Sequence, residues 1–335
     1  MKRLSLIATF CTWMLTATIA LATPASLFVA TPFARATFAA AITATQTAGA
    51  QSVIQQLIIA PGGHSGWHSH PGATVIFVNA GTFTLYDDKC TKSVTEANRG
   101  VVEAGGHTQL ARNETSGLLL VTVMFFDVPV GAAVRSDAPT PACALGADAN
   151  NLPEGPAGSG ITFNVPGGIV QRATFATSFT VNTSAERDVL AQRVTIAPGG
   201  DSGWHGHPGT VVVMVESGTL TFYQENCAKQ SYTAGQGAIE RAGQRLLARN
   251  DGATPVVLRA VLFDIPVAGA ARIDGPATAN CPVVAGTVTA PQSLPSTSVD
   301  AAASPGVDAA IVALLALATV VGLAVLQRSR ARRRG

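Results

Sequence analysis

The chain has 335 residues, of which 47% are hydrophobic and only 13% are charged. This composition excludes wholesale disorder, and the length leaves room for two ordinary domains with additional segments. The apolar excess is concentrated at the two ends of the chain, which indicates targeting or membrane segments rather than an unusually apolar body.

The first 22 residues have the form of a secretory signal peptide. Lys2 and Arg3 precede a long apolar run, and the small-residue sequence ALA follows at 20–22, which is the order of a signal peptide. An uncleaved membrane anchor is the alternative. We therefore assign residues 1–22 to a signal peptide.

The body of the chain is a duplication with a period of 137 residues. The string RATFA at 35–39 returns at 172–176, and LARN at 110–113 returns at 247–250. A register that holds without gaps over such a span indicates two copies of one domain. We place the first copy at 35–145 and the second at 172–284.

Short β-strands fill each copy. Segments rich in β-branched and aromatic residues are separated by Gly, Pro or Asn, and no amphipathic helix interrupts them, which predicts a sandwich or barrel. The segments are VIQQLII, TVIFV, TFTLY and LLLVTVMFF in the first copy and VLAQRVTI, TVVVMV, TLTFY and VVLRAVLF in the second.

Two segments outside the copies lack the composition of a packed core. Residues 146–171 are rich in Gly, Pro and Asn and are predicted to be a linker. Residues 285–308 are rich in Pro, Ser, Thr and Ala and are predicted to be an extended stalk.

The C-terminal end predicts a membrane anchor. Residues 309–326 form an unbroken apolar run long enough to cross a bilayer as a helix. The tail at 327–335 carries five arginines, which stay on the cytoplasmic side of a membrane. We therefore expect a single-pass cell-membrane protein whose body lies outside the cytoplasm.

One stretch of the stalk offers a second interpretation. The sequence LPSTS at 294–298 resembles a sortase sorting motif in which the final Gly is replaced by Ser298. An apolar helix and a basic tail also follow such a motif. The replacement and the long gap before residue 309 favour a permanent membrane anchor.

The exported body is acidic. Of the 22 basic residues, Lys2, Arg3 and the five tail arginines lie outside the body, which leaves 15 basic residues against 20 acidic ones. This balance argues against a nucleic-acid partner. A small molecule is the remaining candidate partner. The sequence does not predict the oligomeric state.

Four cysteines remain once the signal peptide is set aside. Cys90 and Cys143 in the first copy correspond to Cys227 and Cys281 in the second. Disulfides persist outside the cytoplasm, and the repeat favours the pairs Cys90–Cys143 and Cys227–Cys281 among the possible connectivities. A four-thiolate zinc site needs a close Cys-x-x-Cys spacing, which is not present.

The six histidines lie in or near two Gly-rich strings. PGGHSGWHSHPG at 61–72 returns as PGGDSGWHGHPG at 198–209. Residues i and i+2 of a strand face the same side, so His68 and His70 can converge on one point, as can His205 and His207. Imidazoles arranged in this way are typical metal ligands.

These strings give each copy a resemblance to a cupin domain and the whole chain a resemblance to a bicupin. In the first cupin motif both copies match except at the Glu, where Thr74 and Val211 stand. In the second motif both lack the His, whose place is held by Gln109 and Leu246. The matching positions are Gly62, His68, His70, Gly81, Gly106 and Asn113 in the first copy and Gly199, His205, His207, Gly218, Gly243 and Asn250 in the second.

The resemblance implies two antiparallel, jelly-roll-like β-barrels with a metal site in the first. The candidate ligands are His68, His70, His107 and Gln109, a set that suits Zn, Fe, Ni, Cu or Mn. Because a metal-binding imidazole must be neutral, occupancy is expected to fall below about pH 6. The alternative is that the imidazoles are buried polar groups that bond to each other or to water.

The second copy is predicted to be degenerate. It retains His205 and His207 beside Val211 and Leu246, so these histidines are weaker candidates. Glu103 and its repeat partner 137 residues later precede a Gly turn and are expected at the surface. We predict a cell-surface double-cupin protein that binds a small ligand or metal in its first barrel. The alternative is a metal-dependent cupin enzyme, dioxygenase-like or isomerase-like.

Overall fold

The computed structural model describes residues 23–145, 152–155, 157–163, 170–276, 278 and 281. Within this part the chain is almost entirely β-strand, with one short 3-10 helix at Ala142–Ala144. No helix among these residues has the length and apolar character needed to span a bilayer. The signal peptide predicted at 1–22, the stalk, the membrane helix at 309–326 and the basic tail lie outside the described residues.

The predicted strands of the first repeat are all present, with bounds that differ by a few residues. Its strands are β1 Ser26–Phe38, β2 Thr43–Gln46, β3 Gln51–His64, β4 His68–Ser69, β5 Thr74–Ala80, β6 Thr82–Asp87, β7 Lys92–Glu96, β8 Arg99–Glu103, β9 Gln109–Arg112, β10 Leu119–Val128 and β11 Ser136–Asp137.

The second repeat follows the same order. Its strands are β12 Ser159–Phe163, β13 Val170–Thr174, β14 Phe179–Asn182, β15 Arg187–Asp201, β16 His205–Gly206, β17 Val211–Ser217, β18 Thr219–Gln224, β19 Lys229–Thr233, β20 Gly237–Glu240, β21 Leu246–Arg249, β22 Val256–Pro266 and β23 Ile273–Asp274.

Each repeat folds into a barrel of two antiparallel layers, as the resemblance implies. In barrel 1 one layer has the order β3-β10-β5-β8 and the facing layer has the order β7-β6-β9. In barrel 2 the corresponding orders are β15-β22-β17-β20 and β19-β18-β21. Alternate residues of these strands point inward and form one apolar core in each barrel. The prediction of an all-β, jelly-roll fold is confirmed.

The two barrels exchange their first strands. β1 of the first repeat runs antiparallel to β15 of barrel 2, from Ser26 opposite Asp201 to Phe38 opposite Arg187. In return, β12 and β13 of the second repeat run antiparallel to β3 of barrel 1. Each barrel therefore has an edge covered by a strand that belongs to the other repeat, which removes an exposed sheet edge.

This exchange corrects the predicted linker at 146–171. The segment contains all of β12 and the beginning of β13, and both strands belong to barrel 1. Gly and Pro dominate the composition there and hid the strand pattern of Ser159–Phe163. The sequence copies at 35–145 and 172–284 consequently do not coincide with the two barrels.

Aromatic side chains join the barrels. Phe38, Phe77, Phe126, Phe175 and Phe263 are buried in one cluster that draws residues from both repeats. Phe126 and Phe263, which are repeat partners, lie with ring centroids 6.3 Å apart. Burial of large aromatic surfaces is a strong stabilising contribution. The contact therefore makes the two barrels one packed unit.

One disulfide closes each barrel at the end that carries the short histidine strands. Cys90 bonds to Cys143 and Cys227 bonds to Cys281, with Cα–Cα distances of 6.0 and 4.9 Å. The pairing is the one that repeat symmetry predicts. Each bond closes a loop with a sequence separation of 53 or 54, which in the chain-entropy model contributes about 4 kcal/mol to stability.

A buried carboxylate holds the exchanged strand β1 in barrel 2. Asp188 accepts hydrogen bonds from Arg35 Nε and Nη2 at 2.9 and 2.7 Å and from the Thr37 hydroxyl at 2.6 Å. Its repeat partner in barrel 1 is Gln51, which accepts a longer bond of 3.4 Å from Arg172 Nη1. The two equivalent positions therefore differ in how firmly they hold the incoming strand.

Substitution of these two residues tests this difference. Asp188→Ala should lower the free energy of unfolding by about 2 to 3 kcal/mol, because it leaves several donors without their charged acceptor. Gln51→Ala is the matched control and should cost about 1 kcal/mol or less. Urea unfolding of both variants measures the effect, and equal losses would contradict the assigned role of Asp188.

Candidate metal centres

A glycine turn places the first histidine of each pair. Gly66 and Gly203 have φ values of 70° and 66°, in the left-handed region that glycine adopts at little cost. The chain then enters β4 or β16, two-residue strands that begin at His68 and His205. The turn points the imidazole into the barrel and brings the glycine carbonyl back against the same ring.

Backbone carbonyls orient all four imidazoles. Nδ1 of His68 lies 2.9 Å from the Gly66 oxygen, and Nδ1 of His70 lies 2.7 Å from the Val134 oxygen. A carbonyl only accepts hydrogen bonds, so each Nδ1 must carry the proton and each neutral ring must present a bare lone pair at Nε2. The repeat partners have the same arrangement, with His205 Nδ1 3.0 Å from the Gly203 oxygen and His207 Nδ1 2.6 Å from the Ala271 oxygen.

A glutamate completes each group. In barrel 1, Nε2 of His68 lies 3.1 Å from Nε2 of His70, which in turn lies 3.1 Å from Oε2 of Glu103. In barrel 2, Oε2 of Glu240 lies 3.6 Å from His205 Nε2 and 3.2 Å from His207 Nε2. Each group has its three candidate ligand atoms within 4.8 Å of one another, and all its residues are buried.

Glu103 and Glu240 are buried, contrary to the prediction, and they supply the carboxylate that both copies lack at the motif position. They were expected at the surface, yet they are 4% and 6% exposed. Glu103 lies directly opposite Thr74 across the β5–β8 pair, and Glu240 lies opposite Val211 across β17–β20. The carboxylate that the cupin motif places on one strand is thus supplied by the neighbouring strand.

Barrel 2 is therefore not degenerate, contrary to the prediction. His205 and His207 belong to the same kind of two-imidazole, one-carboxylate group as His68 and His70. Both copies lack the glutamate at its usual motif position, where Thr74 and Val211 stand. The repetition of a glutamate at positions 103 and 240 was the available signal, and its place at the end of a strand disguised the inward direction of its side chain.

The other candidate ligands of barrel 1 differ in their distance from the group. His107 is exposed in the loop before β9, so the expected extended strand does not reach it and it lies outside the group. Gln109 is buried opposite His68 in the β4–β9 pair, and its Nε2 has no hydrogen-bond partner among the residues that the structure describes. Its place in a ligand set stays a prediction. His64 is half-buried, and its Nδ1 accepts a bond from the Gly66 amide.

Burial controls the charge of these groups. It lowers the pKa of His68 and of His205 to about 4, and the nearby Glu103 or Glu240 only partly opposes it. Both rings therefore stay neutral well below pH 6. Burial also opposes the charged form of His207, but Glu240 outweighs it and raises the pKa of His207.

The pair formed by Glu240 and His207 is mutually stabilised. Burial disfavours the ionised carboxylate, yet the adjacent His207 outweighs burial and keeps the pKa of Glu240 below its usual value. Oε2 of Glu240 lies 3.2 Å from His207 Nε2, and as long as both rings are neutral no donor among the described residues bonds to it. A buried acceptor that faces two further acceptors fits a bound cation, so the donor set suits a divalent metal.

A small apolar cavity adjoins each group. The cavity of barrel 1 has a volume of about 60 Å³ and that of barrel 2 about 140 Å³. Aliphatic and aromatic side chains form most of both walls, and one arginine contributes to each, Arg135 in barrel 1 and Arg272 in barrel 2. The groups are thus accessible to a small ligand while shielded from bulk solvent.

Comparison with known proteins supports the fold. A family model described as "Cupin domain" matches residues 192–264, a segment that includes His205, His207 and Glu240. No curated protein matches the chain in sequence. The match covers part of the second repeat, and the strand order of both barrels is that of a jelly roll.

Several solved structures are similar at low identity. Oxalate decarboxylase from Bacillus subtilis, described with Mn(II) centres, is 13% identical and covers 72% of this chain and 79% of its own, with a TM-score of 0.30. AerE from Microcystis aeruginosa is 14% identical and covers 63% of this chain and 87% of its own, with a TM-score of 0.27. These TM-scores are low, so the two structures identify neither the ligand nor the reaction of this chain.

For the metal-free protein, we expect the free energy of unfolding to fall as the pH is lowered from about 6.5 to about 4. His68 and His205 have a pKa of about 4 when folded and an ordinary value when unfolded. In this range the unfolded chain binds more protons than the folded one. Each histidine contributes on the order of 3 kcal/mol to the free energy of unfolding, and this contribution is complete above about pH 6.5 and is lost as the pH falls toward 4. His207 works in the opposite direction, because its raised pKa stabilises the fold at low pH and that contribution is lost as the pH rises.

Urea unfolding of the EDTA-treated protein across this range measures the effect. The His68→Gln and His205→Gln double variant should show a shallower fall than the wild type, whereas His107→Gln, at an exposed site, should leave it unchanged. A wild-type stability that does not vary with pH between these limits would contradict the buried, neutral state of the two rings.

Proposed function

We propose that this protein is a metal-binding double cupin that holds one divalent transition metal in each barrel. The observation that carries the proposal is the convergence of two imidazole Nε2 atoms and one glutamate oxygen in each buried group. While the rings are neutral, each Nδ1 proton faces a backbone carbonyl and the converging atoms are all acceptors, which a divalent cation can satisfy together.

The protein ligands in barrel 1 would be His68, His70 and Glu103, and those in barrel 2 would be His205, His207 and Glu240. The carbonyl oxygens that bind each Nδ1–H fix the ring orientation and the tautomer, as second-layer partners of metal-binding histidines do. Nitrogen and carboxylate ligands suit Zn, Fe, Ni, Cu or Mn. A bound metal of this kind supplies Lewis acidity and leaves coordination positions open toward the cavity.

The alternative arrangement, in which the imidazoles bond only to each other, is less favourable. His68 and His70 cannot form a mutual Nε2 hydrogen bond unless one of them gains a second proton or gives up its carbonyl bond. The first choice places a positive charge in an apolar interior, and burial has already lowered the pKa of His68 to about 4. The second leaves a buried carbonyl without its donor.

A metal-dependent enzyme is the second candidate function. Two histidines and one carboxylate with open positions form the ligand set found in non-haem Fe(II) oxygenases. The cavity beside each group, about 60 or 140 Å³ in volume, has room for a small reactant. Oxygen consumption by the iron-loaded protein with a panel of small molecules would support this function over binding alone.

The cellular location belongs to the same proposal. The signal-like segment at 1–22, the apolar run at 309–326 and the arginine tail support an exported body tethered to the cell membrane. The two disulfides fit an oxidising compartment outside the cytoplasm. The stretch LPSTS at 294–298 leaves a sorting signal as the alternative means of attachment.

Metal content measures the binding function directly. The wild-type body, loaded with Mn, Fe or Zn and freed of excess ion, should retain about two ions per chain. His70→Ala or His207→Ala should each retain about one ion. Loss of a residue that only orients a ligand weakens metal affinity roughly 10- to 100-fold, and loss of one of three direct protein ligands should weaken it more, enough to empty that site.

The control is His107→Ala, which removes an exposed histidine of barrel 1 and should retain both ions. Elemental analysis of the four proteins decides the result. A wild type that retains no metal would contradict the proposal. A single ion that is lost only with His70→Ala would restore the predicted difference between the barrels.

Protease treatment of intact cells tests the location. Cleavage should release a fragment that contains both barrels, because the body lies outside and the predicted stalk at 285–308 is accessible, while the segment after residue 309 stays with the membrane. The released fragment is identified by mass spectrometry. Protection of the body in intact cells, with digestion only after lysis, would show the opposite orientation.

A further inference from the structure

We propose that the two barrels bind monoanionic carboxylates of different size, with barrel 1 limited to the smallest acids and barrel 2 open to branched ones. This inference rests on the proposed function, since it concerns the ligand that occupies the open position of each metal group. It is carried by the charge of the groups and by a systematic difference between the two cavity walls.

The charge of each loaded group calls for one negative ligand. Two neutral imidazoles and one carboxylate around a divalent ion leave a net charge of +1 in a buried site. An unbalanced charge in an apolar surrounding is costly. The arginine of each wall forms an ion pair at the surface, Arg135 with Asp137 at 2.8 Å and Arg272 with Asp274. Its positive charge is still felt at the group, where it opposes protonation of His68 or His205, so it adds to the preference for an anion. A monoanion neutralises the site, and an apolar tail suits the aliphatic wall.

The strand at the back of the cavity differs most between the barrels. Phe125 on β10 packs against His70 with ring centroids 5.0 Å apart, and its repeat partner on β22 is Leu262. Val123 on β10 corresponds to Ala260 on β22. All four side chains line the cavities. Both replacements remove volume from the wall of barrel 2 beside the metal group.

Three further wall positions change in the same direction. At each of them the residue of barrel 2 is the smaller one, in agreement with its cavity of about 140 Å³ against about 60 Å³. The pairs, barrel 1 first, are Leu57 and Val194, Ile76 and Val213, and Val134 and Ala271.

Some features of barrel 2 act in the opposite direction, among them Phe222, whose repeat partner Leu85 does not line the cavity of barrel 1. Leu258 replaces Val121 and is larger. The exchanged strand β1 places Phe28 and Ala30 in the wall of barrel 2, where β12 places Ile161 in barrel 1. The cavity of barrel 2 is nevertheless the larger one, about 140 Å³ against about 60 Å³, in the direction of the five smaller side chains.

The experiment compares acetate with isobutyrate in proteins that hold a single metal. His207→Ala leaves only barrel 1 loaded with Co²⁺, and His70→Ala leaves only barrel 2 loaded. The visible spectrum of Co²⁺ reports occupancy and ligand entry, and calorimetry gives the dissociation constants. We expect both sites to bind acetate, and the ratio of isobutyrate to acetate affinity to be at least about 10-fold higher in barrel 2, the scale of discrimination that one or two methyl groups allow.

Exchange of the wall residues provides the matched test. Phe125→Leu with Val123→Ala, in the protein loaded only in barrel 1, should raise the ratio of isobutyrate to acetate affinity about 10-fold. Leu262→Phe, in the protein loaded only in barrel 2, should weaken isobutyrate binding by a similar factor. Retention of acetate binding and of the Co²⁺ spectrum shows that each variant is folded.

The failures are distinguishable. Equal affinity ratios in the two barrels, or wall exchanges that change neither ratio, would overturn the size difference while the metal-binding function stands. Occupied Co²⁺ sites that bind neither acid would overturn the monoanion assignment. Sites that take up no Co²⁺ would refute the proposed function, and this inference with it.

Discussion

The structure depends on an electrostatic constraint at the centre of each barrel. Two imidazoles and a carboxylate meet within an apolar core, and all three present acceptor atoms to the same small volume. Such a group is costly to bury unless a cation lies among its members. The protein does not relieve the constraint by rotating the rings, because backbone carbonyls hold every Nδ1 in place.

The fold maintains this constraint through its register. The short strands β4 and β16 follow turns that require glycine at positions 66 and 203, and the glutamates lie on β8 and β20, one strand beyond β5 and β17. The exchange of β1 with β12 and β13 covers the edges of both barrels and supplies part of each cavity wall. Neither barrel is therefore complete without a segment of the other repeat.

Much of this architecture could be predicted from the sequence, because it rests on local patterns. The strand segments, the duplication and the two disulfide pairs follow from residue periodicity and from the spacing of 137. The inward direction of His68 and His70 follows from strand alternation. The position of Glu103 beside the imidazoles could not be predicted in this way, since it depends on which strand pairs with β5 and on a register that places Glu103 opposite Thr74. The strand exchange escaped prediction for the same reason, because long-range pairing leaves no mark in a Gly-rich segment. His107 failed as a candidate because β9 begins only at Gln109.

The most direct test of two cation sites is a crystal structure of the metal-loaded protein with anomalous diffraction recorded at the absorption edge of the metal. We expect one anomalous peak in each barrel. The first should lie about 2.0 to 2.2 Å from Nε2 of His68, Nε2 of His70 and a carboxylate oxygen of Glu103, with an equivalent peak among His205, His207 and Glu240. Barrels without a peak, in which the imidazoles bond to one another or to water, would contradict it.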